Sequence, residues 1–540
     1  MKRFLPLLPL ALAALGGSGF YRIECRDGVH VAVGPAGADR IRGIDHVRYE
    51  GVRCEVLGYA PYGRGNAARY ASRAQWETNA LSRLKAWRFN LLGVGSDWTL
   101  RRRGLSHVEV IGAGHSFAWK YGSLAGNERN GGAGFPDVFM SEWPAHCRER
   151  ARAVCTRSRE DKWLFGYYLD NELSWWARRE RTSGMFDAAM AKAPEEPAKR
   201  AVCELLRKAA DNSLDAFNRQ WGQSLEDWSA LSALRQLSGT SESCEQVKRR
   251  FLEMTAERYF SVLTAAIREV DPNHLILGCR FMGTETADDT VWTVAGRHCD
   301  VVSVNVYPQV DVTGGRCWAD RGRKVDFDRR LDDLHRLAHR PLLISEWSFA
   351  GLDTPLRCKV CAAQKFPSQV ARAEAATFWM DRLEAKPYVV GWEFFMWTDD
   401  PVEGYSRTWP EDANFGLVNV EDEPYREMVA AFEGRQSWCP RFSRAGYWEV
   451  PGSPRKVTCL NGDWQFSLDG FKTVRTVAVP HCIDEGELPL QASGGVNRRH
   501  PSPGELTLVP GRGVWETGQV KVGHDVSHVE ADQRDFGLDK

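Results

Sequence analysis

Glu172 and Glu346 are the side chains in this sequence best placed for acid–base and nucleophilic chemistry. Each closes a short apolar run: WLFGYYLDN (163–171) leads to Glu172, and LLIS (342–345) leads to Glu346. Such runs read as strands buried on both faces, hence the central strands of a parallel sheet. Polar groups at the carboxyl ends of those strands lie at the mouth of a barrel. Two carboxylates delivered there by separate strands suit the hydrolysis of a glycosidic bond. In a retaining reaction they stand ~5–5.5 Å apart, one as proton donor and the other as nucleophile. The donor must keep its proton until the bond breaks, and a second carboxylate nearby raises its pKa accordingly. On this reading Glu172 is the acid/base and Glu346 the nucleophile. Asn171 is then poised to hydrogen-bond a sugar 2-hydroxyl, and Tyr307 to donate its hydroxyl to Glu346.

The elements that must hold these residues follow from hydrophobic patterning. Apolar strands are expected at 41–47, 89–94, 108–111, 163–169, 275–278, 301–307, 342–346 and 389–397. Helical spacing separates most of them, at 72–87, 138–157, 185–210, 245–270, 326–338 and 368–383. Eight alternating units predict an α/β fold, a (β/α)8 TIM barrel, with Glu172 on strand four and Glu346 on strand seven. An open doubly wound sheet is the alternative, but no GxGxxG follows a strand, so a dinucleotide role lacks support. Further candidates come from position at the mouth. Asp45 and His46 end strand one, as sugar contacts or as a hydrogen-bonded structural pair. His115, in the Gly-rich loop GAGHSFAW after strand three, could touch sugar or fix the loop. Trp347 and Trp397 could floor the subsite beside the scissile bond or simply pack the rim. Glu393 could bond substrate or pair with a barrel arginine. Ahead of the barrel, residues 21–33 alternate weakly, like a hairpin.

Composition narrows the classes. The 540 residues carry 71 Lys and Arg against 71 Asp and Glu, a net charge of zero. Nothing there favours nucleic acid or an anionic membrane as partner. The 21 tryptophans are core packing or platforms on which sugar faces stack. The 14 cysteines show no disulfide framework, and Cys358 with Cys361 forms one CxxC without the second pair that a structural zinc site needs. No cofactor or metal is called for. Residues 1–19 have a basic start, an apolar stretch shorter than a membrane span and small residues after it, which predicts a signal peptide and a secreted or periplasmic protein. From 455 to 540 the chain first alternates with period two, as a partial β-sandwich would. Beyond about 490 it turns rich in Gly, Pro and charge, and little order is expected.

The catalytic stretch, 20–438, resembles the clan A glycoside hydrolases, in which an Asn-Glu pair ends strand four and a Glu ends strand seven. More narrowly it is similar to their β-agarase-like branch. The matching stretches are RGIDHVRYEG (42–51), LGYAPYGR (57–64), GYYLDNELSWW (166–176), CDVVSVNVYP (299–308), LLISEWSFAGLDTPL (342–356) and NFGLVNVEDEPY (414–425). The segment around Trp464 is similar to the sugar-binding sandwich of β-galactosidase-type enzymes. The resemblance implies a retaining hydrolase of β-linked, galactose-containing polysaccharide such as agar, with Glu172 and Glu346 in the roles given above. The chain departs from the branch at Glu393 and Met396, where His and Gln are expected, and at Asp45, where Asn is usual. These changes leave the sugar open. The other readings are a β-galactosidase or β-mannanase-like hydrolase and a non-catalytic carbohydrate-binding protein.

Overall fold

The structure, a computed structural model, describes residues 19–126, 134–175, 184–319, 322–408 and 410–435, and past these the backbone of seven short strands. The region expected to be a signal peptide, 1–19, lies outside the described residues except for Gly19.

Eight parallel passages build the barrel: Ile41–Ile44, Leu91–Leu92, Ser106–Val110, Leu164–Tyr168, Leu275–Ile276 continued by Phe281–Met282, Val302–Asn305, Leu342–Trp347 and Val389–Phe394. Pairing runs from the fifth passage back to the first, then through the eighth and seventh to the sixth. The fifth passage closes the ring. Its first piece pairs with strand four and its second with strand six. Between the pieces the chain bends at Gly278 (φ +83°) and Arg280 (φ +49°). A glycine enters that region freely, whereas an arginine does so rarely.

Inside the lower barrel, Ile41, Leu91, Val108, Phe165, Leu275, Leu277, Val301, Leu343 and Val390 form one apolar layer closed beneath by Tyr21. Each such side chain contributes about 1.5–3 kcal/mol by leaving water. Alternate residues of the same strands (Ile44, Leu92, Val302, Val304, Ile344, Trp392) face outward into the larger core shared with the helices. Above the apolar layer the inward positions turn small or polar, and this is where the barrel opens.

The helices start where capping chemistry allows. Ser72 accepts from the Gln75 amide ahead of Arg73–Ala86, and Asp326 from Arg329 ahead of Phe327–Ala338. Ser368 opens Gln369–Ala385, and Ser241 opens the 29-residue Glu242–Val270. Two expectations change. The helix read over 185–210 is two, Gly184–Met190 and Pro197–Ala209, because Pro194 and Pro197 interrupt the backbone bonding. GAGHSFAW is not a loop: Gly112 is left-handed at φ +66° and Ala113–Tyr121 is a helix.

Strands Arg22–Arg26 and Val29–Gly34 occupy the segment read as a hairpin, and Gly37–Asp39 adds a third strand beyond it. In the sandwich region the backbone forms an antiparallel sheet, ordered Arg475–Val479, Gly462–Ser467, Glu505–Pro510, Gly518–Val522 and Val529–Ala531. Three of these strands lie past 490, where composition predicted little order. Among the described residues no helix is long and apolar enough to cross a membrane.

Candidate active site

Asn305, on the sixth strand, is the hub of the barrel mouth. Its side-chain amide donates to Glu172 Oε1 at 3.0 Å and to Glu346 Oε2 at 2.8 Å. Those two oxygens are therefore no more than about 6 Å apart, whatever the angle between the bonds. The same amide lies 3.3 Å from Asn171 Oδ1, and Asn305 Oδ1 accepts from Ser345 at 2.8 Å. The carboxylates of strands four and seven thus face each other across one sugar-sized gap.

Strand seven reaches this geometry through a bulge. Its register against strand six slips between Val304 and Asn305, and against strand eight between Ile344 and Trp347. The extra residue re-aims the strand end, so that Ser345 and Glu346 both serve the interior while Trp347 points out. After strand four, Asp170 accepts from the Gly114 amide (2.8 Å), the His115 amide (3.1 Å) and the Tyr259 hydroxyl (2.7 Å). It pins the strand end to the helix at Ala113. Glu172 then takes a left-handed φ of +52° and donates its amide to the Arg280 carbonyl at 3.1 Å. Left-handed non-glycine residues are uncommon and gather at functional sites; His46 and Arg280 are two more.

Arg280 was not singled out from the sequence, yet it touches more of this site than any other cation. It is 1% exposed. Its Nε donates to Asn171 Oδ1 at 2.8 Å, and one terminal nitrogen donates to Asp45 Oδ2 at 2.9 Å and Glu346 Oε1 at 3.2 Å. The other terminal nitrogen stands 3.8 Å from Glu393 Oε2. The guanidinium lies over the Tyr168 ring, 5.1 Å from its centroid. Nothing in GCRFMG (278–283) marks such a role, since a lone Arg after a short apolar run has no pattern. Asn305 was visible within VSVNVYP but carried no assignment.

The titration of Glu346 follows from these neighbours. Burial pushes its carboxyl well above the usual range. Arg280 pulls it down, Glu172 and Asp45 push it up, and a hydrogen bond from Tyr307 pulls it down again. Tyr307 itself is held protonated by burial and by the charges of Glu346 and Glu172. His46 is kept neutral: burial and the charges of Arg48 and Arg280 lower it to about 3. His115 is half-buried in the first turn of its helix, with Nδ1 3.5 Å from Asp170 Oδ1. Burial lowers its pKa, but Asp170 and Glu172 more than reverse that, so it is raised.

Four candidates lie away from the gap between Glu172 and Glu346. Asp45 and Glu393 are both 0% exposed, beneath the mouth and out of a substrate's reach. Of the two options for Glu393, the structure has the arginine, together with a bond from the Tyr168 hydroxyl. Trp347 is 0% exposed and packs among Trp379, Trp392, Phe394 and Phe432 in the outer core. Trp397, also fully buried, stacks on Trp87 at 5.7 Å and donates to Tyr62 at 2.8 Å. Neither tryptophan floors a subsite. Alternation carries the reason for Trp347: when Glu346 points into the barrel, its neighbour points out. Cys358 and Cys361 are buried in an apolar cluster against which Tyr307 and Phe395 pack.

The chain is similar to known proteins in sequence and in fold. The chain is 26% identical to beta-agarase B of Vibrio sp. (strain JT0107) over 363 residues, 66% of this chain and 35% of the relative. It is likewise 26% identical to beta-agarase A of the same strain over 389 residues, 68% of this chain and 36% of the relative. The chain thus spans about a third of the length of the curated relatives it matches. No family model matches it. Among solved structures, an exo-beta-agarase superposes with a TM-score of 0.64 at 21% identity, covering 78% of this chain and 64% of that one. The agarase AgWH50C does so with a TM-score of 0.63, again at 21% identity, covering 77% and 64%. The resemblance read from the sequence therefore holds in sequence and in fold.

Proposed function

We propose that this chain is a retaining glycoside hydrolase acting on a β-linked, galactose-containing polysaccharide of the agar type. The observation that carries the reading is the bridge of Asn305 between Glu172 and Glu346, because two carboxyl oxygens from different strands no more than about 6 Å apart suit a double displacement. The substrate class comes from the likeness to the two Vibrio beta-agarases.

In the first step a Glu346 oxygen bonds to the anomeric carbon while the glycosidic bond breaks, and Glu172 gives its proton to the leaving oxygen. In the second step Glu172 takes a proton from water as that water attacks the anomeric carbon, which frees Glu346 and returns the sugar with its original configuration. Asn171 contributes through its amide orientation. Its oxygen is engaged by Arg280 and Asn305, which leaves the NH2 to donate to a sugar 2-hydroxyl, a bond that strengthens as the oxocarbenium ion develops. Tyr307, held protonated, donates to the nucleophile. His46, neutral and edge-on to Phe395 at 5.2 Å, lines the wall. A polymeric substrate fits export of the enzyme, as the first 19 residues suggested.

The test is product stereochemistry with azide rescue. Wild type should release the β-anomer first from agar oligosaccharides. Glu346→Ala and Glu172→Ala should each lose about 10³-fold or more in kcat. Azide should then give an α-glycosyl azide with Glu346→Ala and a β-glycosyl azide with Glu172→Ala. Initial release of the α-anomer, or an active Glu346→Ala enzyme, would overturn the proposal.

A further inference from the structure

Beneath the mouth, the fully buried carboxyls of Asp45 and Glu393 meet at one point. Their oxygens Asp45 Oδ1 and Glu393 Oε2 receive no donor from any other described group. Both face Gly93, the residue after strand two, where a Cβ would fall 1.9 Å from the first and 2.6 Å from the second. Gly43 on strand one leaves the rest of the room, since its Cβ would lie 2.5 Å from Glu393 Cγ. Two adjacent strands thus lack side chains at the position these carboxyls fill. The two oxygens therefore lie no more than about 4.5 Å apart, and two carboxyls in contact can hydrogen-bond each other only through a proton.

From this geometry we infer that Asp45 and Glu393 share one proton on the barrel floor, and that the resulting monoanionic pair is the device that positions Arg280 for Glu346 and Asn171. The inference rests on the hydrolase reading only for its kinetic consequence.

Charge balance gives the reason. The groups facing Arg280 are Asp45 from strand one, Tyr168 and Asn171 from strand four, Glu346 from strand seven and Glu393 from strand eight. His46, Glu172 and Tyr307 stand nearby. His46 is neutral, and Tyr168 and Tyr307 are protonated through burial. With Asp45 and Glu393 both ionised, one guanidinium would face three buried carboxylates, and burying an uncompensated charge costs several kcal/mol. A proton between the first two leaves Arg280 facing two negative charges, the pair and Glu346, in place of three. The same guanidinium donates to Glu346 at 3.2 Å and favours its ionised form, against the burial that pushes its carboxyl up. Carboxyls this close cannot both ionise freely, and they titrate as a unit. The remaining oxygens are committed: Asp45 Oδ2 to Arg280 at 2.9 Å, Glu393 Oε1 to the Tyr168 hydroxyl.

Infrared difference spectra of the full chain in D2O test the proton directly. Near neutral pH the wild type should show a protonated-carboxyl stretch that Glu393→Gln and Asp45→Asn each remove. A band unchanged by both would overturn the shared proton. Kinetics tests the positioning. Glu393→Gln places an amide donor where the proton sat and should keep kcat within about threefold. Glu393→Met fills similar space without a donor and should lower kcat more than about tenfold, with KM moved less than about threefold. Equal loss in both variants, or none in the methionine variant, would overturn the positioning role. If wild type cleaves no galactan, the hydrolase reading fails while the spectra still decide the proton.

Discussion

Arg280 makes its contacts through a planar fork that an ammonium cannot copy. Arg280→Lys should therefore keep the buried charge but lose either Asn171 or Glu346. We expect kcat/KM to fall by about two to three orders of magnitude, read by steady-state kinetics beside a melting curve that shows the fold intact. His46 yields a prediction of the opposite kind, on stability. Its imidazole is lowered to about 3 in the folded chain, against about 6.5 when unfolded. Above that upper value neither state binds the proton and nothing is lost. As pH falls from about 6.5 toward 3, only the unfolded chain takes it up, so folding weakens. His46→Gln should remove about 2 kcal/mol of the stability difference between roughly pH 7 and pH 4.5 in urea titrations. At this scale the glutamates were legible because each ends an apolar strand. Arg280 was not, because its partners come from strands one, four, seven and eight and only barrel closure brings them together. Of the two options for Trp347, the structure has packing, because adjacency to Glu346 puts it on the outward face of the strand end.

The short inner strands are set by what they leave out as much as by what they carry. Gly93 directly follows strand two, which is two residues long, and has no room for a methyl group against Asp45 and Glu393. Gly93→Ala should destabilise the barrel by about 1–3 kcal/mol through overpacking and lower kcat by displacing the carboxyl pair. Thermal melting and kinetics check both. Its effect should be larger than that of an alanine at Gly65, whose Cβ would meet only the Val420 carbonyl at 3.4 Å. The barrel strands and the longer helices were readable, because continuous apolar runs and helical spacing are local signals. What local signals did not carry was the split in strand five. Its two halves pair with different neighbours around left-handed Gly278 and Arg280, and only the closed ring demands that. The helix at Ala113–Tyr121 was hidden for a related reason: its anchor, Asp170, lies 56 residues from the Gly114 amide it holds.

Across the whole molecule, equal numbers of basic and acidic residues mean no net field to steer a charged polymer. The mouth has its own sign. Glu172 and Glu346 face the gap, while Arg280, the cation bound to Glu346, is buried beneath them. A sulfated galactan would meet carboxylates at the cleft, and salt would screen that repulsion. A neutral agar chain would bind through hydrogen bonds and apolar ring faces, which salt hardly touches. On the agar reading, kcat/KM for neutral oligosaccharides should change less than about twofold between roughly 0.05 and 0.5 M salt, across which the screening length shrinks about threefold. On sulfated oligosaccharides of equal length, kcat/KM should begin lower and rise with salt. Steady-state rates on matched neutral and sulfated substrates separate the two cases. A salt response above about fivefold on the neutral chain would place unseen charge in the recognition surface and argue for a different glycan.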